Sequence, residues 1–334
     1  MKRLVSSFLA AAGLPAFFAW RNRRRLPILM YHGLAPRPLA PACWQQLDVA
    51  SFRRQIEWVA AHYRVLPLEE ALSRLYAGTL PERALAVTFD DGYASNLELG
   101  LPILEAFRVP ATVFLVTDLV GTVGVPWADR LYLALARTNV ASASSTALAL
   151  EAAPLSSDAD RARAYETAVR AAKALPRAAK DAALSRLVAD LGQDGPFDPG
   201  VFRMLSWDDV AALSRSGLVT VASHTRTHQI LSRCTDAEVH AEVGPAHEEL
   251  ARRVGRTPNV MAYPVGRAID YDARAIAAVE GAGIPFALTT VEGFAGPESA
   301  PRELPRFGVD HDLAFSRFRL LVTGALAALR GSPS

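Results

Sequence analysis

The sequence predicts an α/β fold built on a parallel sheet, open or closed into a barrel, with a helical insertion. Three observations carry that expectation. The chain has 334 residues, 51% hydrophobic, 8% aromatic and 21% charged, which excludes a disordered chain, a collagen-like repeat and a disulfide-stapled mini-protein. From Leu26 onward, short apolar runs alternate with amphipathic helical patterns, as parallel strands joined by crossover helices require. From about 127 to 205 that alternation stops, in a stretch rich in Ala, Arg and Leu.

Each element has a local reason. Pro27 to Tyr31 reads as a strand, and Phe52 to His62 as a helix capped by Ser51. Leu68 to Tyr76 is helical, opened by Pro67 and closed near Gly78. Ala84 to Phe89 is a continuous apolar run, the mark of a strand buried on both faces, and it ends in Asp90-Asp91-Gly92. Leu97 to Phe107 makes a helix and Ala111 to Val116 the next strand. Inside 127–205, helical spacing appears at Leu131-Leu135 and Ala164-Ala168-Ala171-Ala172, with a Ser/Thr-rich loop near 141–146 and no strand of the main series. A lid or side wall is expected there. A helix capped by Ser206, a strand at Leu218 to Ala222 and a helix from Thr235 to Val254 follow. Both helices open on capping-box patterns, Ser206…Asp209 and Thr235…Glu238. Strand Val260 to Tyr263, a helix near Asp272 to Val279 and strand Phe286 to Leu288 complete the series.

The net charge of +2 is unevenly spread: Lys2, Arg3, Arg21, Arg23, Arg24 and Arg25 contribute +6 with no acid before Leu26, leaving −4 for the rest. A mildly acidic body argues against nucleic acid as a partner, and the basic head points to a membrane surface. Leu4 to Trp20 is an apolar run of 17 residues, which reaches ~25 Å against a hydrocarbon core of ~30 Å. Ala10-Ala11-Ala12 offers a small-residue cleavage site for a signal peptide. The arginines beyond it suit a short helix lying in the interface, with Trp20 at headgroup depth. Residues 1–25 are therefore read as a membrane-associating segment. Cys43 and Cys234 are expected to be free thiols, and His240 and His247 to be solvated on their helix.

Two clusters carry chemistry. Thr88-Phe89-Asp90-Asp91-Gly92-Tyr93 stands at the carboxyl end of a buried strand, where adjacent carboxylates repel unless a cation or proton is shared. Gly92 lets the backbone turn sharply enough to leave both side chains at the rim, although Asp-Asp-Gly is also an ordinary turn. The second cluster, Ser223-His224-Thr225-Arg226-Thr227-His228, follows another strand. Histidines four apart on one helical turn face the same way. Two histidines and a carboxylate from separate strand ends form a set that leaves metal positions open. Such strand ends are where α/β folds place their active sites. A divalent metal is expected: zinc first, with cobalt, nickel, iron and manganese also compatible. Spacing does not say which of Asp90 and Asp91 holds it.

At these residues the chain resembles the polysaccharide deacetylase group (NodB homology, carbohydrate esterase family 4), in its exopolysaccharide-type branch. Thr88 to Gly92 matches the first motif and Ser223 to His228 the second; Met261-Ala262-Tyr263-Pro264-Val265-Gly266 occupies the third, and Ile28 to His32 resembles the entry of many members. The resemblance covers about residues 27 to 310, least in the insertion. It implies a deformed (β/α) barrel and removal of acetyl groups from a polysaccharide. It also implies Asp90 as general base, Asp91, His224 and His228 as metal ligands, and the Val265 N–H as oxyanion donor. The third motif of the family opens with an arginine that orients the base; here Ala262 stands there, and Arg306 is expected to supply the charge. The final Leu-x-His motif, whose histidine is the general acid, has its nearest counterpart in Val309-Asp310-His311, with His32 as second candidate. Trp127, at the start of the insertion, has the chemistry to stack on a sugar ring.

The expected organisation is the segment 1–25, a deacetylase-like domain over 26–320 carrying the insertion, and a tail at 321–334. The expected activity is metal-dependent removal of N-acetyl groups from amino sugars of a bacterial surface polysaccharide or exopolysaccharide, at the inner membrane or in the cytoplasm. Alternatives with the same metal site are an O-acetyl esterase and a cyclic amide hydrolase; a catalytically silent glycan-binding protein is the third.

Overall fold

Along the computed structural model, which describes residues 14–329, the strands are β1 (Ile28–Tyr31), β2 (Gly33–Ala35), β3 (Gln46–Asp48), β4 (Arg64–Val65), β5 (Ala84–Phe89), β6 (Ala111–Leu115), β7 (Ser142–Ser145), β8 (Leu150–Pro154), β9 (Val219–Ser223), β10 (Val260–Ala262), β11 (Phe286–Glu292) and β12 (Leu304–Gly308). Seven pair in the order β1-β12-β11-β10-β9-β6-β5, and β1 pairs again with β5 to close a parallel barrel. The closing register runs from Ile28↔Ala86 to Tyr31↔Phe89. β4 lies beside the start of β5, below the stretch that β1 covers.

Alternation along each strand divides the apolar side chains between two cores. Leu29, Val87, Val113, Val221 and Phe307 pack outward with the surrounding helices. Ile28, Ala86, Phe114, Ala222, Ala262, Leu288 and Leu304 form the inner cluster. Four of those seven are larger than alanine; the small ones at Ala86, Ala222 and Ala262 leave room inside for one long polar side chain.

Most helices begin and end for the expected reasons. Leu68–Tyr76 stops before Gly78, which takes φ +69, and both capping boxes form, at Ser206/Asp209 and Thr235/Glu238. Several expectations are revised. The second helix starts earlier, at Val49, because Asp48 rather than Ser51 is its cap: the Asp48 carboxylate accepts the Ser51 N–H. The expected helix Leu97–Phe107 opens with a π turn over Asn96–Gly100. Residues 141–146 are not a loop; β7 and β8 form an antiparallel hairpin within the insertion. The strand expected at Phe286 to Leu288 continues to Glu292, and its register with β12 slips where Pro305 has no N–H to offer. His247 is buried rather than solvated, whereas His240 is exposed.

The insertion builds its own core from the helices Trp127–Arg137, Asp158–Ala172 and Arg177–Asp190, closed by Tyr93 and Met204 from the barrel rim. Helix Phe315–Thr323 runs across residue 320, with Leu321 and Val322 buried against the outer core. Both cysteines are buried free thiols. Residues 1–13 of the amino-terminal segment lie outside the described residues; the helix Leu14–Arg21 leaves Phe17 and Trp20 exposed. Among the described residues no helix is long and apolar enough to cross a membrane.

Candidate active site

At the carboxyl ends of the barrel strands lies a cavity of about 280 Å³, lined among others by His32, Asp90, Asp91, His224, His228 and Val265. The chain turn after β5 sets the two carboxylates apart. Asp91 takes φ +73 and Gly92 φ +86, so the strand reverses within two residues. A Cβ at Gly92 would stand 2.7 Å from Leu115 Cδ2, which explains the glycine. Asp90 consequently points back into the barrel and Asp91 toward β9.

Asp91, His224 and His228 bring one ligand atom each to within 4.8 Å of one another, and all three are buried. Their convergence does not come from a helical turn. Residues 224–228 are irregular, with Thr225 at φ +66 and His228 at φ +60, and this backbone puts the imidazole centroids 4.9 Å apart. Glu242, on the helix Asp236–Val254, fixes the loop: its carboxylate accepts the Thr227 N–H at 2.8 Å and its carbonyl the Arg226 N–H at 3.0 Å. The Ala262 carbonyl can only accept, so the 2.8 Å bond from His224 Nδ1 places the proton there and leaves Nε2 to the cavity. Burial, ahead of the surrounding charges, pushes the His224 imidazole down to about 4, which keeps the ring neutral. His228 Nε2 lies 3.1 Å and His224 Nε2 3.5 Å from Asp91 Oδ1, and that oxygen is buried with no hydrogen-bond partner. A buried, unsatisfied carboxylate oxygen between two imidazoles fits a divalent metal such as zinc.

Asp90 sits in a different environment. Arg306, wholly buried, reaches along the barrel axis and grips it through two 2.7 Å hydrogen bonds, Nη1 to Oδ1 and Nη2 to Oδ2. Arg306 Nε donates to the Thr289 carbonyl at 2.8 Å, so all three guanidinium nitrogens are engaged. Burial raises the Asp90 carboxyl, but the charge and hydrogen bonds of Arg306 outweigh it and hold the group below its ordinary value. The small side chain of Ala262 leaves the interior open to this guanidinium, which arrives from β12.

The two general-acid candidates separate. His32 lines the cavity beside Asp90 and Asp91 and rests edge-on against Trp44 at 5.0 Å. His311 lies instead in a separate groove with Arg54 and Phe315, away from the carboxylates. The turn after β12 directs it outward, and the loose motif match gave no warning. Val265 lines the cavity with φ +60, unusual for a β-branched residue and a sign that the backbone here is held by its surroundings. Its carbonyl accepts the Thr290 hydroxyl at 2.7 Å.

Sequence reading missed a supporting group. The Tyr93 hydroxyl lies 3.0 Å from Asp91 Oδ2 and 2.6 Å from Oδ2 of Asp129, a wholly buried residue of the insertion. Burial and the Asp91 charge push the Asp129 carboxyl well up, so it stays protonated and leaves the Tyr93 hydroxyl free to donate to Asp91. The only signal in the sequence was Tyr93 itself, next to the first motif.

Residues 77–287 match the family described as polysaccharide deacetylase. The poly-beta-1,6-N-acetyl-D-glucosamine N-deacetylase of Staphylococcus epidermidis is 33% identical over 72 residues, 21% of this chain and 25% of that one. Its namesake in Staphylococcus aureus is 36% identical over 73 residues, 22% and 25% of the two chains. The chain thus spans about a quarter of the length of these curated relatives. Among solved structures, the Streptococcus pyogenes deacetylase PplD in complex with acetate superimposes with TM-score 0.59 at 16% identity, covering 89% of this chain and 98% of that one. IcaB from Ammonifex degensii gives 0.58 at 16%, covering 91% and 97%. These likenesses are likenesses of fold. With the family match spanning all three motifs and the barrel shared, this chain belongs to the polysaccharide deacetylase family.

Proposed function

We propose that the protein removes N-acetyl groups from amino sugars of a bacterial exopolysaccharide or surface polysaccharide in a metal-dependent hydrolysis. One observation carries the reading: a buried Asp91–His224–His228 cluster opens into the same cavity as an Asp90 kept ionised by Arg306. The similarity to staphylococcal N-deacetylases points to the glycan class.

Asp91, His224 and His228 would hold a divalent metal, zinc first. Bound there, such an ion polarises the acetyl carbonyl and lowers the pKa of water. Asp90 accepts the proton of the attacking water, and Arg306 keeps its carboxylate free of a proton and fixed in direction. The Val265 N–H donates to the oxygen of the tetrahedral species, a role supported by the residue's position in the cavity wall. His32 returns a proton to the departing amine, a role passed to it from His311 by position in the cavity. Tyr93 and Asp129 orient Asp91. Trp127, in the cavity wall, offers a face for a sugar ring.

Acetate release from N-acetylglucosamine oligomers tests the reading, comparing chelated and Zn²⁺- or Co²⁺-reloaded protein with Asp90→Asn and His224→Ala. Metal-dependent release lost in both variants is expected. Bound metal without acetate would redirect the search to O-acetyl sugars or cyclic amides, and absence of metal binding would overturn the catalytic reading. The exposed Phe17 and Trp20 support contact with a membrane surface, although Arg23 and Arg24 pair with Glu82, and Arg25 with Glu298. Sedimentation with anionic vesicles should fall on Phe17→Ser/Trp20→Ser substitution.

A further inference from the structure

Two basic side chains in the cavity wall, Lys173 and Arg267, take no part in the chemistry above. We infer that the glycan bound here carries an anionic group, carboxylate or phosphate, near the acetamido sugar, and that Lys173 recognises it. The inference rests on the reading of this cavity as a site for an N-acetylated glycan.

The balance of charge supports it. The acids lining the cavity are Asp90 and Asp91. Asp90 is cancelled by its bidentate pair with Arg306, and a divalent cation at Asp91 would more than offset that carboxylate. Arg267 is held by Asp270 through Nε at 2.7 Å and Nη2 at 2.9 Å. Lys173 forms no ion pair or hydrogen bond through its ammonium among the described residues, and its charge is the uncompensated one. Its half-buried position, and then the neighbouring Arg267 charge, both press its pKa down against a weaker opposing pull from Asp270. A cation kept in a partly dry wall beside a second cation is strained in the empty protein, and an incoming anion relieves that strain. A lysine at the end of helix Asp158–Ala172 also suits the helix dipole. That accounts for its place in the sequence but not for its place in the cavity wall.

The test uses the full chain and three tetrasaccharides: a neutral N-acetylglucosamine tetramer, one alternating N-acetylglucosamine with glucuronate, and one carrying a 6-phosphorylated sugar. Calorimetry gives Kd for each, and acetate release is read alongside. At low salt one anionic probe should bind about tenfold tighter than the neutral one, the size of a charge-assisted hydrogen bond, and the advantage should shrink as salt rises. The two anionic probes tell carboxylate from phosphate. Lys173→Gln should bring the ratio of Kd values to about one and Lys173→Arg should retain it, with the unfolding midpoint of each variant as the folding check. Equal Kd values for all three probes, failure of all three to bind, or a ratio that survives Lys173→Gln would overturn the inference. A Kd difference without acetate from any probe keeps the inference and refutes deacetylation. Acetate from all three with equal Kd does the reverse.

Discussion

Asp91, His224 and His228 follow β5 and β9 and lie inside the stretch 77–287 that matches the family, whereas Arg306 and His32, which act on Asp90, come from the two ends of the chain outside it. The metal half is made by short loops whose unusual backbone is written into a few adjacent residues. The base half is made by barrel closure, across a sequence separation of 216 between Arg306 and Asp90. The difference teaches that, on the proposed reading, a motif carries the metal ligands, while the acid–base pair depends on the whole barrel being closed.

Substitutions should separate the halves. The largest effect is expected for His228→Ala, which should abolish stoichiometric metal binding and lower kcat/KM by about 10³-fold or more, read by metal analysis and acetate release. Asp90→Asn should cost about 10³-fold while leaving metal content intact. His32→Gln should cost about 10²-fold, mostly in kcat, whereas His311→Gln should leave the rate within about twofold; equal losses would return the acid role to His311. Among the groups placed on the reaction the smallest loss, about tenfold, is expected for Arg306→Lys, because an ammonium cannot reproduce the two-pronged grip.

Arg306→Lys also carries a pH signature. The Asp90 pKa is lowered in the folded protein, so the unfolded state takes up its proton first as pH falls. The stability Asp90 contributes is therefore present above the ordinary aspartate range, near 3.9, and lost on acidification through and below it. Weakening Arg306 should move the acid limb of the kcat/KM profile upward and flatten that loss in denaturant titrations. An unmoved acid limb would show that Arg306 does not set the ionisation of Asp90.

What could be read in advance follows the same division. β5, with its six buried residues, five of them apolar, and the clusters at 88–93 and 223–228 are local patterns, and the structure places them as the sequence suggests. The helical turn assumed for His224 and His228 was not needed, because two left-handed residues do the same work. β12 is hard to read as a strand: Leu304-Pro305-Arg306-Phe307 breaks the apolar run with a proline, explained by the register slip against β11, and a charge, explained by the barrel interior. β7 escaped notice since Ser142–Ser145 is a small polar stretch whose pairing with β8 defines it. Asp129 and Lys173 reach the site only through the packing of the insertion.

The double pairing of β1, with β5 on one side and β12 on the other, has a consequence for how the protein comes into being. Contacts this distant along the chain are slow to form and are costly in loop-closure entropy until the last strand arrives. During synthesis the side chains of Asp91, His224 and His228 are all present once residue 228 has emerged, their loop is pinned only when Glu242 and Ala262 follow, and the charge that keeps Asp90 ionised waits for residue 306. On the proposed reading, a chain that ends between Ala262 and Arg306 would carry every candidate metal ligand and the groups that orient them, yet lack the partner of its base. Hydrolytic competence would then wait for β12.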